Sequence, residues 1–188
     1  MRFVIGITGA SGQIYAERLL RYLSSTEHKV DVIVSAAARR VNEQECGMDF
    51  EAFGFPVYDN DATDVPSLSG SQPYDGCAIV PCSMATLGRI ASGVAETAIA
   101  RTADVFLKER RPLVLVVRES PYSLIHIRNM ARVTLAGAIV LPASPGFYTK
   151  PASIEALVDT IVARVLDHLG VTHSLSPPWS PPLPPGGE

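Results

Sequence analysis

Long apolar runs are missing from this chain, and so is any marked excess of charge of one sign. No stretch reaches the ~18 consecutive apolar residues that a membrane-spanning helix needs, which speaks against a membrane protein. With 16 Lys and Arg against 19 Asp and Glu, the formal net charge is −3. That balance removes the electrostatic case for nucleic acid or an anionic lipid surface as the main partner, so any anion site must be built locally. Cysteine is scarce: Cys46, Cys77 and Cys82 make an odd count of 3 with no metal-ligand spacing. Reduced thiols in a cytoplasmic protein are the expectation. No signal peptide is expected, because the chain opens directly on its first predicted strand. Internal repeats are also absent. What remains is 188 residues, 47% hydrophobic and 19% charged, the composition of a globular domain large enough for a substantial core.

The most informative stretch is Phe3 to Leu23. Phe3 to Ile7 is a β-branched apolar run, and Thr8-Gly9-Ala10-Ser11-Gly12 is a turn of small residues. Tyr15, Leu19, Tyr22 and Leu23 then recur at helical spacing. A strand, a tight glycine-rich turn and a helix can cradle a phosphate, because small residues let backbone N–H groups approach an anion at a helix N-terminus. The same turn can serve tight strand–helix packing alone. Gly6, Gly9 and Gly12 are spaced GxxGxxG, which is neither the dinucleotide fingerprint GxGxxG nor a Walker loop.

Further strands are expected at Lys29–Ser35, Gly76–Pro81, Pro112–Val117 and Ala138–Leu141. Helices are expected at Ala36–Glu45, around Leu87, Ile90, Ala91 and Val94, at Ile99–Leu107, and at Ser123–Val133. A last helix is capped by Ser153, striped by Ile154, Leu157, Val158, Ile161, Val162, Val165 and Leu166, and ended by Gly170. The stretch from Cys46 to Ser71 shows little periodicity. Its Asp59, Asp61 and Asp64 read as a solvated loop rather than a metal site. Strands alternating with helices, apolar on both faces, give an α/β fold with a parallel sheet covered on both sides. One domain is expected over 1–171. From Thr172 the chain is proline-rich, giving a tail over 172–188 that is either floppy or docked on a neighbour.

Ligands of open parallel sheets bind beyond the carboxyl ends of the strands. Those ends carry Thr8–Gly12, Ser35, Cys82–Thr86, Arg118-Glu119 and Ser144–Tyr148. The set offers hydroxyls, exposed backbone, an Arg–Glu pair and a tyrosine, chemistry for a phosphorylated ligand with Glu119 as an acid or base. No histidine lies there. His126 reads as structural, and His28, His168 and His173 as surface residues. Lys108-Glu109-Arg110-Arg111 reads as a solvated turn, and Arg164 as a side chain snorkelling at the edge of the last apolar stripe.

The segments GITGASGQIYAERLL, PCSMATLGRIASG, RTADVFLKERRPLVLVVRESPYSLIHIRNM and GAIVLPASPGFYTKP occur in this order. Together they resemble the UbiX/Pad-type flavin prenyltransferases, over about Phe3 to Gly170. The resemblance implies a flavodoxin-like, Rossmann-like three-layer sandwich around a central parallel sheet, assembled as a dodecamer with flavin sites at subunit contacts. It implies metal-independent transfer of a dimethylallyl group from dimethylallyl phosphate to N5 and then C6 of reduced FMN. The product, prenylated FMN, serves a UbiD-type decarboxylase. By the same resemblance FMN is held by Gly9, Ala10, Ser11, Ser35, Ser83, Met84, Ala85, Thr86 and Arg118. The prenyl phosphate is held by Lys108, Arg118, Tyr148 and Arg164, with Arg101 close by. Glu119 acts as acid or base, and Glu45 with Ser11 forms a proton relay. Pairing with a ligand phosphate shifts Lys108 from solvated turn to site residue. Gly93-Val94-Ala95-Glu96-Thr97 stands where the family more often has an Asp-Asn pair, and Trp179 resembles an aromatic placed near the substrate in some members. A flavin-dependent cysteine decarboxylase of the same fold and a non-catalytic FMN carrier are the competing readings.

Overall fold

The structure is a computed structural model that describes residues 1–177 and 179. Its centre is a 6-stranded sheet with strand order β3-β2-β1-β4-β5-β6, parallel at every pairing. The strands are β1 Arg2–Ile7, β2 Lys29–Val34, β3 Val57–Asp59, β4 Gly76–Cys82, β5 Leu113–Val117 and β6 Ile139–Pro142. β1, β2, β4 and β5 are largely apolar because both of their faces are covered, and the buried Asp31 of β2 is satisfied by Arg2 and Tyr74.

The helices are α1 Gln13–Ser24, α2 Ala36–Glu45, α3 Met84–Ala91, α4 Ala98–Lys108, α5 Leu124–Leu135 and α6 Ile154–His168. They form two layers with separate cores. On one face Leu19, Leu20 and Leu23 of α1 meet Ile161, Val162, Val165 and Leu166 of α6 over β1, β2 and β4. On the other, Leu87 of α3, Ile99 and Phe106 of α4 and Val133 of α5 cover Val4, Ile79 and Leu115. Burying one large aliphatic or aromatic side chain contributes about 1.5–3 kcal/mol, so these two clusters hold the layers in place.

Three expectations are corrected. The sheet has a sixth strand, β3, inside the stretch read as loop. Its 3 residues at the sheet edge are too few to show a period of two. Val94 is not on a helix face: α3 stops at Ala91, Gly93 takes φ +68, and Val94 is exposed. Ile154, read as part of the buried α6 stripe, is exposed in the first turn, and the buried run starts at Val158.

The tail contains no helix or strand among its described residues, and residues 178 and 180–188 of it lie outside them. Its beginning is docked on its own chain. The Tyr22 hydroxyl donates to the Thr172 carbonyl at 3.1 Å, and Leu175 packs against the α1–α6 core.

Gly9 sits in the turn after β1 against α2, and a Cβ there would collide with the Ala37 methyl. Gly9→Ala is expected to cost about 1–3 kcal/mol by forcing β1 and α2 apart, read as a lower denaturant midpoint with an unchanged m-value.

Candidate active site

Strand order reverses between β1 and β4, and the crevice of an open α/β sheet opens at such a point. The turns after these two strands are tied together by Thr8. Its hydroxyl donates to the Pro81 carbonyl at 2.7 Å and accepts the Ser83 N–H at 2.8 Å. Gln13, fully buried, donates through its amide to the Thr8 and Ala10 carbonyls at 2.9 and 2.8 Å and stiffens the same turn. The β5 end joins them through the Arg118 N–H, which donates to the Cys82 carbonyl at 3.4 Å.

Helix N-termini around the crevice differ in what already fills them. α1 begins at Gly12, φ 102, without a side-chain cap of its own. Its first N–H groups instead reach the Glu45 carboxylate, Gly12 N at 2.8 Å and Gln13 N at 2.9 Å. The anion at this glycine-rich turn is therefore an internal carboxylate carried by the last residue of α2. Phosphate is not needed to satisfy those donors. Burial pushes the Glu45 pKa up, but the Ser11 hydroxyl, the Gln13 and Gly12 N–H groups and the Arg118 charge outweigh it, and the net direction is down. Burial raises the Tyr15 phenol, partly offset by the same Arg118 charge.

At α4 the donors are also taken: Asn60 accepts from Ala98 and Ile99 at 2.8 and 2.9 Å, and Thr97 caps Ala100. Thr97 thus gives the divergent 93–97 turn a structural role. By contrast, α2 and α3 flank the crevice with only their cap hydroxyls engaged. Ser35 accepts the Ala38 N–H and Ser83 the Thr86 N–H. The N–H groups of Ala36, Ala37, Met84 and Ala85 have no carbonyl within their helices to bind. This donor set, with the Ser83 and Thr86 hydroxyls and the Arg118 cation, fits a phosphate-bearing ligand such as FMN.

Glu119 follows Arg118 and is half-buried, with one carboxylate oxygen accepting the Ser120 N–H at 3.0 Å. Tyr148 and Arg164 share a different cavity, of about 590 Å³, between the loop after β6 and the outer side of α6. Trp179 also lines it, and none of its lining residues comes from turns 8–12, 35–37, 82–86 or 118–119. Arg101, in the first turn of α4, pairs with Asp104 at 2.7 Å. Lys108 ends α4 next to Gly70 and pairs with Glu109. A single chain therefore does not bring together the residues expected to hold the prenyl phosphate. α4 lies on one face of the sheet and α6 on the other, and Lys108 stands at the strand-start end.

Among the described residues no group of three or more His, Cys, Asp or Glu could hold a metal; Asp59 pairs with Arg39 at 3.0 Å. No helix of the described residues is long and apolar enough to cross a membrane. His126 is structural, as read: its Nδ1 accepts the Ser123 N–H in a capping box at the start of α5. His173 is corrected from surface to core edge, with a side chain only 7% exposed.

Residues 1–166 match the flavoprotein family. The flavin prenyltransferase UbiX of Methanothermobacter thermautotrophicus is 43% identical over 180 residues, 94% of this chain and 94% of that protein. This chain belongs to the UbiX flavin prenyltransferase family. Among solved structures, AnUbiX (PadA1) in complex with FMN and dimethylallyl pyrophosphate superposes with a TM-score of 0.93 at 40% identity, over 96% of this chain and 97% of that one. A dodecameric FMN-dependent UbiX-like decarboxylase from Escherichia coli O157:H7 gives 0.92 at 34% identity, over 96% and 100%. Against this family background, the sequence left Gln13 and Asn60 unmarked. Each works through hydrogen bonds to backbone groups of a turn or of another element, and a polar side chain carries no sequence signal of its partner.

The Glu45 carboxylate gives a test on stability. A folded pKa below the unfolded value of about 4.3 contributes stability above that pH, lost as the pH falls through the folded pKa. Glu45→Gln keeps an acceptor but removes the charge. It is expected to be less stable than the parent by about 0.3–1 kcal/mol at pH 7, a partly exposed helix-terminal charge. The gap should close as pH is lowered towards 3, followed by urea unfolding across a pH series.

Proposed function

We propose that this chain joins a dimethylallyl group from dimethylallyl phosphate to N5 and C6 of reduced FMN, giving prenylated FMN for a UbiD-type decarboxylase. One observation carries the reading: the cations divide between a flavin-type crevice and a separate cleft. A protein that merely carries FMN has no use for the second. A cysteine decarboxylase using a catalytic histidine finds none at these strand ends.

In this reading Ser35, Ser83, Met84, Ala85 and Thr86 hold the FMN phosphate and polar edge, and Gly9, Ala10 and Ser11 line the ring. Reduced FMN supplies the two nucleophilic positions. When the allylic C–O bond breaks, the electron pair leaves with phosphate, and that developing charge is what Lys108, Arg101, Arg118, Arg164 and Tyr148 stabilise. The flavin loses protons from N5 and C6, and the allyl double bond takes one up. Glu119 is placed to move the C6 proton. The Ser11 hydroxyl donates to the Glu45 carboxylate, which joins the two in a proton relay.

Lys108 and Arg164 on opposite faces of one sheet make the phosphate site a product of assembly. We place the pair on neighbouring chains of a homo-oligomer, a dodecamer like the E. coli relative. Its thiols are free, which fits a reducing cytoplasm.

Anaerobic incubation with reduced FMN and dimethylallyl phosphate, followed by mass spectrometry of the extracted flavin, tests the reaction. A flavin heavier by one five-carbon prenyl unit is expected, and unmodified FMN would refute the proposal. Glu119→Gln should bind FMN normally and slow ring closure by about 10²–10⁴-fold, measured by rapid-quench sampling; an unchanged rate removes it from the base role. Lys108→Ala and Arg164→Ala should each be inactive alone. Mixed oligomers of the two should regain about a quarter of parental activity, because a random partner supplies both intact residues at that share of sites.

A further inference from the structure

Arg164 points one guanidinium nitrogen at Asp167, Nη1 to Oδ2 at 2.6 Å, with the two side chains 58% and 43% exposed. An exposed pair three residues apart on a helix contributes little and leaves a long side chain free to move. The second carboxylate oxygen changes that. Asp167 Oδ1 lies 3.0 Å from His173 Nε2. A carboxylate can only accept, so Nε2 carries the proton and donates.

The histidine is itself fixed. Its ring meets Tyr22 of α1 edge-on, with centroids 6.5 Å apart at 89°, and the adjacent Thr172 carbonyl accepts from the same tyrosine's hydroxyl. Its other nitrogen, Nδ1, is buried with no hydrogen-bond partner among the described residues. Leaving that atom unsatisfied costs stability, so the ring is set for its Nε2 contact and not for its own solvation. Arg164, Asp167, His173 and Tyr148 all line the one cavity.

We propose that His173 is a positioning residue for prenyl-phosphate binding: through Asp167 it holds the Arg164 guanidinium at the cleft, once the start of the tail is docked. The proposal rests on the reading of Arg164 as a phosphate ligand. Arg164 has five N–H donors and spends one on Asp167, so four remain for a phosphate. Without the histidine, the binding step must order the side chain itself.

The test uses the full chain loaded with reduced FMN. KM and kcat are measured with dimethylallyl phosphate, and its binding is followed separately by calorimetry, for the parent and R164A, H173A, H173N and H173Q. H173A and H173N should weaken binding and raise KM by about two- to tenfold, the cost of ordering one long side chain. kcat, FMN affinity and Tm should stay near parental. H173Q, whose amide nitrogen can take the place of Nε2, should restore KM. Parental KM in H173A and H173N overturns the proposal. So does a joint fall in Tm, FMN affinity and KM performance that H173Q fails to restore, since that marks a purely structural role. If R164A binds dimethylallyl phosphate as the parent does, the assignment of Arg164 fails and takes the proposal with it. If R164A weakens binding and the histidine variants do not, only the proposal fails.

Discussion

An all-parallel sheet sends every connecting helix back antiparallel to its strands, so the helix N-termini gather at one end of the sheet and their C-termini at the other. That constraint decides most of this molecule. It places the turns after β1, β2, β4 and β5 side by side, where unpaired N–H groups and hydroxyls can meet an anionic ligand. It also puts Lys108, at the C-terminus of α4, at the far end of its own chain's sheet. A phosphate site that uses both Lys108 and Arg164 cannot be built within one copy.

Within the gathered end, the helix starts are not equivalent. The first is closed by Glu45, whose carboxylate meets Gly12 and Gln13, and α4 is closed by Asn60 and Thr97. Beside β1 the available starts are α2 and α3, one on each side, with Thr8 bracing the crevice between β1 and β4. An internal carboxylate at α1 also brings a polarised Ser11 and the Arg118 charge to one spot. The glycine-rich turn is therefore closed by its own chain's carboxylate, while the α2 and α3 starts keep unpaired N–H groups.

The start of the proline-rich tail belongs to the folded structure. Tyr22, Asp167 and the core beneath Leu175 hold it, and it closes one side of the cleft that carries Tyr148 and Arg164. A segment without helix or strand is fixed here by a hydroxyl, a carboxylate and an aromatic edge.

Residue order alone determined the α/β class, because buried parallel strands must be largely apolar on both faces, and β1, β2, β4 and β5 are. It determined the α2 start at Ala36, the α6 start at Ser153 and the strand ends where hydroxyls cluster, since caps and turns are local and act through neighbours in the chain. Its motifs were specific enough to mark the family. Strand order, the edge strand β3, the capture of α1 by Glu45 and the burial of His173 were decided by tertiary structure alone. Each depends on groups far apart in the chain, as Gly12 and Glu45 are, or on a segment too short to show a period. The division of Lys108 and Arg164 between opposite faces was likewise invisible in the order of residues. Only the stacking of helices on the sheet shows that these two cations stand apart within one copy.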